Sequence, residues 1–183
     1  MKFLIAGAGA IGAYMGACMA RAGQDVTLFA RGPHLRAMQE HGVRVKSADG
    51  DFEAHPKISG NLEQVGPVDV VFLGVKAHGL TQLAPQLKPV LGPDTAVVGT
   101  QSGIPWWFFQ GWGGEHAGMH LERVDPGGTI AAAIDPGESS ARSFTSPPTS
   151  SSPESSATPK AIAFRWESLT ARARNESAKS PKR

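Results

Sequence analysis

Up to residue 100, apolar positions form short runs and helix-spaced stripes, divided by glycine, proline and acidic punctuation. Lys2–Ala6 is a strand-length apolar run, suited to a buried parallel strand. Small residues follow at helical spacing, Ala13, Gly16, Ala17 and Ala20, and Gly23 is placed to end that helix as a C′ glycine. Asp25–Phe29 reads as a second strand. Pro33 opens a further helix with Leu35 and Met38 on its apolar face and Ala37 beside them, ending at His41 and Gly42. Residues 43–46 and Phe52–Ala54 flank turn residues 48–51, a hairpin signal. Residues 58–65 are weakly patterned and leave room for a short helix. Residues 68–75 carry the strongest buried-strand signal after the first. Residues 78–91 read as a helix with Leu80, Leu83, Leu87 and Val90 roughly in phase, disturbed by Pro85. A turn at Gly92, Pro93 and Asp94 leads into a strand over 95–100, and 129–134 is a candidate strand. Strands alternating with helices predict an α/β fold: a Rossmann-like, doubly wound, mostly parallel sheet.

The junction between the first strand and the first helix holds the most specific pattern. Gly7, Ala8, Gly9, Ala10, Ile11 and Gly12 have the spacing G-x-G-x-x-G. Gly7 allows the tight turn, Gly9 lets backbone approach a pyrophosphate, and Gly12 lets helix and strand pack closely. The helix then aims free N–H groups and its positive end at phosphates. The glycine spacing alone is weak evidence. A strand before it, a helix after it and a second strand beyond are the context that confirms a dinucleotide site.

Cofactor choice is read at the end of the second strand. An NAD-selective site places Asp or Glu there for the ribose 2′-OH. This chain has Phe29, Ala30, Arg31 and Gly32. Arg31 offers a guanidinium to a 2′-phosphate and no acid competes, so the expected cofactor is NADP(H). The alternative is an ordinary solvated arginine.

Composition adds limits. The 183 residues suit one domain, or one domain and part of another, and the 40% hydrophobic content suffices for a core. A net charge of +2 calls for neither nucleic acid nor a membrane as partner. Cys18 is the single cysteine, which excludes an internal disulfide and a cysteine metal cluster and fits inert packing. No apolar run is long enough to span a bilayer, and a reducing cytoplasm is the default compartment.

Gln101, Ser102 and Gly103 follow a predicted strand at its carboxyl end, where open α/β sheets bind ligands. Trp106, Trp107, Phe108 and Phe109 come next; packing is favoured over a substrate pocket, since large aromatics mostly serve burial. His116 and His120 have an i, i+4 spacing. However, His-Glu-x-x-His is absent, Gly113, Gly114 and Gly118 weaken any helix, and no third ligand is evident, so no metal is assigned.

The character of the chain changes at Asp135, Pro136 and Gly137. No glycine occurs later, serine and proline dominate residues 139–159, and the end is polar and basic. The expected organisation is a dinucleotide-binding domain over 1–137 and a disordered tail over 138–183.

Residues 1 to about 134 resemble ketopantoate reductase (2-dehydropantoate 2-reductase). The resemblance rests on the glycine motif, on Phe29-Ala-Arg-Gly-Pro-His34-Leu, on the strand ending Val75-Lys76-Ala77, and on Gln101-Ser-Gly103 before an extended loop. It implies a Rossmann domain paired with a helical C-terminal domain, and NADPH-dependent reduction of a small keto acid, 2-dehydropantoate, to pantoate. It also implies that the glycine loop holds the pyrophosphate, that Arg31 holds the 2′-phosphate and that Lys76 lies along the cofactor. Ser102 stands where the family usually has an asparagine touching cofactor and substrate. A hydroxyl is shorter and has a different donor set, which puts the substrate contact in question. The family's lysine acid and helical domain come later, and nothing past Gly137 resembles either. The Rossmann sheet is therefore expected to be incomplete and this chain alone inactive. A stand-alone NADP-binding or sensor module is the alternative.

Two readings of the tail stand beside each other: a natural Ser/Pro-rich appendage, or a reading-frame change near residues 135–142. Back-translating residues 165–176 and reading from each codon's third base permits Leu-Gly-Glu-Pro-Asp-Gly-Thr-Arg-Ser-Glu-Arg, which resembles the family; its glycine in second place is forced. The same shift over 144–164 permits a family-like stretch as well. The frame change is the favoured reading.

Overall fold

The computed structural model describes residues 1–47, 50–110 and 114–134. Seven strands and four α-helices occur in these residues: β1 (Lys2–Ala6), α1 (Ala10–Arg21), β2 (Asp25–Phe29), α2 (Gly32–His41), β3 (Val43–Val45), β4 (Phe52–Ala54), β5 (Lys57–Ser59), β6 (Val70–Leu73), α3 (Ala77–Leu83), β7 (Ala96–Gly99) and α4 (Thr129–Ala133). Five strands form a parallel sheet in the order β5-β2-β1-β6-β7, and β3 and β4 pair as an antiparallel hairpin. The chain is a Rossmann-like α/β fold.

Period-two alternation divides the core between the two sheet faces. Phe3 and Ile5 of β1, Val26 and Leu28 of β2, and Val70 and Phe72 of β6 belong to a cluster with Ala17 and Met19 of α1 and Met38 of α2. Leu4 and Ala6, with Val71 and Leu73, join Leu80 and Leu83 of α3, Leu87, Val90 and Ile130 on the other face. Both faces are covered, which is why these strands read as continuous apolar runs. Small residues let α1 lie close: a Cβ on Gly16 would overlap Leu28 Cδ2, and one on Gly12 would overlap the Gly7 carbonyl oxygen. At the end of α1, Gly23 takes φ +75° and donates to the Ala20 carbonyl, so the helix stops where its C′ glycine predicts.

Three expectations are corrected. Within 58–65, Ile58 and Ser59 belong to an edge strand, not a helix. Lys57–Ser59 pairs with Thr27 to Phe29, and Lys57 Nζ meets Asp25 Oδ1 at 2.7 Å. The predicted helix over 78–91 is α3 followed by a 3-10 helix over Ala84–Val90, because Pro85 and Pro89 supply no N–H for a continuous α ladder. Leu80, Leu83, Leu87 and Val90 are nevertheless all buried. The candidate strand over 129–134 is helix α4. The buried Asp125 carboxylate accepts from the amides of Ile130 (2.7 Å) and Ala131 (3.0 Å), satisfying the first turn. The tail beyond residue 134 and the expected domain boundary lie outside the described residues.

Trp106 and Trp107 are buried in the core face that holds α3 and α4 and meet edge to face at 4.0 Å. Packing is their role, as the sequence favoured. Trp107 lies over Gly99, where a Cβ would come within 2.6 Å of its ring.

Candidate functional site: a cleft at the carboxyl edge of the sheet

The strand order reverses at β1: β2 lies on one side and β6 on the other, with α1 and α3 on opposite faces. In such sheets the crevice at the carboxyl ends of these strands is the ligand-binding position. The glycine loop leaves β1 there. Ala8 N–H donates to the Phe29 carbonyl at 3.0 Å, tying the loop to β2, and Gly74 N–H donates to the Ala6 carbonyl at 3.0 Å, tying β6 to β1.

Each glycine is placed differently. Gly7 has φ +113°, and a Cβ there would lie 2.5 Å from Val75 Cγ1. Gly12 is closed off by the Gly7 carbonyl. Gly9 is exposed, and a Cβ on it would meet only the Gly74 oxygen, at 4.0 Å. Gly9 is also the N-cap of α1. It has no side chain to accept from the first-turn amides, and that turn contains no acid. The amides of Ala10, Ile11 and Gly12 precede the first intrahelical bond, from Ala13 N–H to the Gly9 carbonyl. Open backbone at Gly9 and uncapped amides beside it suit an anion carried by a flat, extended ligand.

A cleft of about 300 Å³ is lined by Gly7, Ala8, Gly9, Phe29, Ala30, Arg31, His34, Val75 and Leu83. Arg31 is exposed and makes no ion pair among the described residues, and no carboxylate lines the cleft. A larger depression of about 390 Å³ lies between the far end of α1 and the β3–β4 hairpin, away from the glycine loop.

Of the residues singled out in the sequence, Gly7, Ala8, Gly9 and Arg31 line the cleft. Ala10, Ile11 and Gly12 open α1 beside it. Lys76, exposed, is the N-cap of α3, one residue past Val75. Ser102 is exposed beyond the end of β7. Lys76 and Ser102 reach the same edge of the sheet without lining the cleft. Val75 and Gln101 were not singled out individually. The Gln101 carboxamide donates to the Leu73 carbonyl at 2.9 Å and to that of Val75 at 3.1 Å. His116 faces Phe109, and His120 sits 3.7 Å from Asp125 and 3.5 Å from Glu122.

The sequence profile of the ketopantoate reductase PanE/ApbA family matches residues 3–105, which run from β1 to the loop after β7. The chain belongs to that family. It is 44% identical over 137 residues to the 2-dehydropantoate 2-reductase of Mesorhizobium japonicum, covering 74% of this chain and 42% of that protein. It is similar to a solved structure assigned as a ketopantoate reductase, from Ralstonia solanacearum MolK2, with a TM-score of 0.70 and 38% identity, covering 75% of this chain and 42% of that one. D-mandelate dehydrogenase, solved with NADH and anilino(oxo)acetate, is similar at a TM-score of 0.52 and 30% identity, over 57% of this chain and 34% of that one. The chain spans less than half the length of these relatives, all reductases or dehydrogenases by name. Among the described residues, no helix is long and apolar enough to cross a membrane.

Proposed function

We propose that residues 1–134 are the NADP(H)-binding part of an oxidoreductase of the 2-dehydropantoate 2-reductase type. The observation that carries this reading is the shared cleft. An open N-cap glycine with free amides lies on one side of it, and the Arg31 guanidinium, unopposed by any acid, on the other. The glycine loop and the amides of Ala10, Ile11 and Gly12 would hold the pyrophosphate. Arg31 would hold the 2′-phosphate by a charge-assisted bond. Lys76 and Ser102, at the same edge, would face the rest of the cofactor and the keto acid. When bound, NADPH supplies the hydride that reduces the keto carbon.

Carbonyl reduction places negative charge on oxygen, and a positioned donor in a dry cleft must stabilise it. In the complete enzyme that donor is a lysine of the helical domain. We infer that residues 138–183 are a shifted-frame tail standing in place of that domain. Loss of one such donor costs on the order of 10²–10³ in rate, and loss of the enclosing cleft also removes positioning. This chain as written therefore does not turn over 2-dehydropantoate at a useful rate.

The test compares NADPH oxidation with 2-dehydropantoate by this chain and by a version with the shifted frame restored. Turnover by the restored protein alone supports the reading. Comparable turnover from both places a complete site within these 183 residues and overturns it. The nucleotide sequence around codons 135–142 gives an independent check, since a single insertion or deletion should restore a long family-like frame.

A further inference from the structure

The parallel ladder between β6 and β7 ends at the pair Leu73 and Gly99. Beyond that point, the carbonyls of Leu73 and Val75 have no next strand residue of β7 to pair with. Side chains take over. Thr100 Oγ1 donates to the Leu73 carbonyl at 2.6 Å. The half-buried Gln101 uses its carboxamide Nε2 on both carbonyls, at 2.9 and 3.1 Å. A primary amide has two N–H donors at this reach; a carboxylate or thioether of similar shape has none.

Val75 is also the wall against which the glycine loop rests. A Cβ on Gly7 would meet its Cγ1 at 2.5 Å and its backbone nitrogen at 3.0 Å. One side chain therefore joins two loops: the loop containing Ser102 and Gly103, next in the chain, and the Gly74–Val75–Lys76 turn that backs the glycine motif.

We propose that Gln101 is a positioning residue that couples the Ser102–Gly103 loop to the dinucleotide cleft, holding the turn at Val75 against Gly7 so that occupancy of the cleft orders the loop. This rests on the reading of the cleft as a dinucleotide site. The coupling is reciprocal: a ligand ordering the 101–103 loop tightens the cleft by the same factor. Selectivity between NADPH and NADH stays with Arg31, because the carboxamide bonds of Gln101 go to the Leu73 and Val75 carbonyls and not to the end of β2.

The experiment uses the full chain and the variants Gln101→Met and Gln101→Glu. NADPH and NADH are titrated, and amide hydrogen exchange is followed with and without saturating NADPH. In the unaltered chain, NADPH should slow exchange at residues 101–103 as well as at 7–12. In Gln101→Met, affinity for both dinucleotides should fall by the same factor, about fivefold or more. The slowing at 101–103 should disappear at saturation while that at 7–12 remains. Gln101→Glu, with no donors and a charge facing two carbonyl oxygens, should fall further. A purely structural contact would lower the melting temperature without uncoupling the two segments at saturation.

If the unaltered chain binds neither dinucleotide, the dinucleotide reading itself fails. If it binds NADPH with no change in exchange at 101–103, or if Gln101→Met keeps that change, the coupling fails and the dinucleotide reading stands. The measurement on the unaltered chain can overturn the coupling even if both variants fail to fold, and the variants separate it from direct contact of the dinucleotide with Ser102.

Discussion

Gly7 and Val75 are fitted to each other so closely that only a glycine can occupy the first position. Gly7 has φ +113°, and the space of its missing Cβ is occupied by Val75 Cγ1 at 2.5 Å. The turn out of β1 and the turn out of β6 therefore form one unit, with the cleft on its outer side. Gly9, two residues on, faces open space.

Gly7→Ala combines a disfavoured backbone conformation, about 1–3 kcal/mol, with overpacking against Val75 of similar size. The expected outcome is a destabilised protein with a displaced loop. Gly9→Ala, with φ −71° and nothing closer than 4.0 Å, should be tolerated by the fold but impede a ligand's approach. Urea denaturation and dinucleotide titration on both variants separate the two effects. Equal loss of stability from both would refute the distinction.

Asp125 should be worth far more than a surface acid. Its carboxylate is 1% exposed and accepts from two amides that open α4. Asp125→Ala removes both bonds and should destabilise by about 2 kcal/mol or more. Asp125→Asn keeps one acceptor oxygen and should fall between. Chemical denaturation midpoints check the order, and an unchanged midpoint for Asp125→Ala would contradict the assigned role.

The edge strand β5 carries an acid-sensitive link. The Lys57 ammonium bonded to Asp25 holds that carboxyl below its ordinary pKa, against a smaller opposing effect of desolvation. A depressed carboxyl pKa stabilises the fold above the ordinary carboxylate range. That stabilisation is lost as pH falls through the folded-state value, below about pH 4. Lys57→Met should therefore reduce the fall in stability on acidification and leave the shape of the pH 6–8 region as in the unaltered chain. Melting curves from pH 7 down to 2.5 test this; an acid limb as steep as in the unaltered chain would show that the pair contributes nothing.

The elements most legible in the sequence were those fixed by local rules. Glycine spacing and a buried run set β1, α1 and β2, and turn residues set the β3–β4 hairpin. The misread segments were decided by distant partners. Residues Lys57–Ser59 are too short to signal a strand and become one by pairing with β2. The run Thr129–Ala133, apolar and of strand length, is ambiguous by periodicity. Asp125 resolves it toward helix, after glycines at 127 and 128 with φ +65° and +67°. The aromatic run showed that burial was favoured, but not that Gly99 would leave room for Trp107. At the site, spacing identified the glycine loop and Arg31. It placed Gln101 at the ligand-binding edge but not its role, because its bonds reach 26 and 28 residues back along the chain.

In the proposed reading, Arg31 makes the cleft a site for NADP(H). Titration of NADPH and NADH against the full chain and Arg31→Ala tests it most directly. The unaltered chain should bind NADPH more tightly than NADH. In Arg31→Ala that preference should fall about tenfold or more, from loss of a contact of roughly 1.5–3 kcal/mol, with NADH affinity little changed. Equal affinity for the two dinucleotides in the unaltered chain would rule out that role for Arg31.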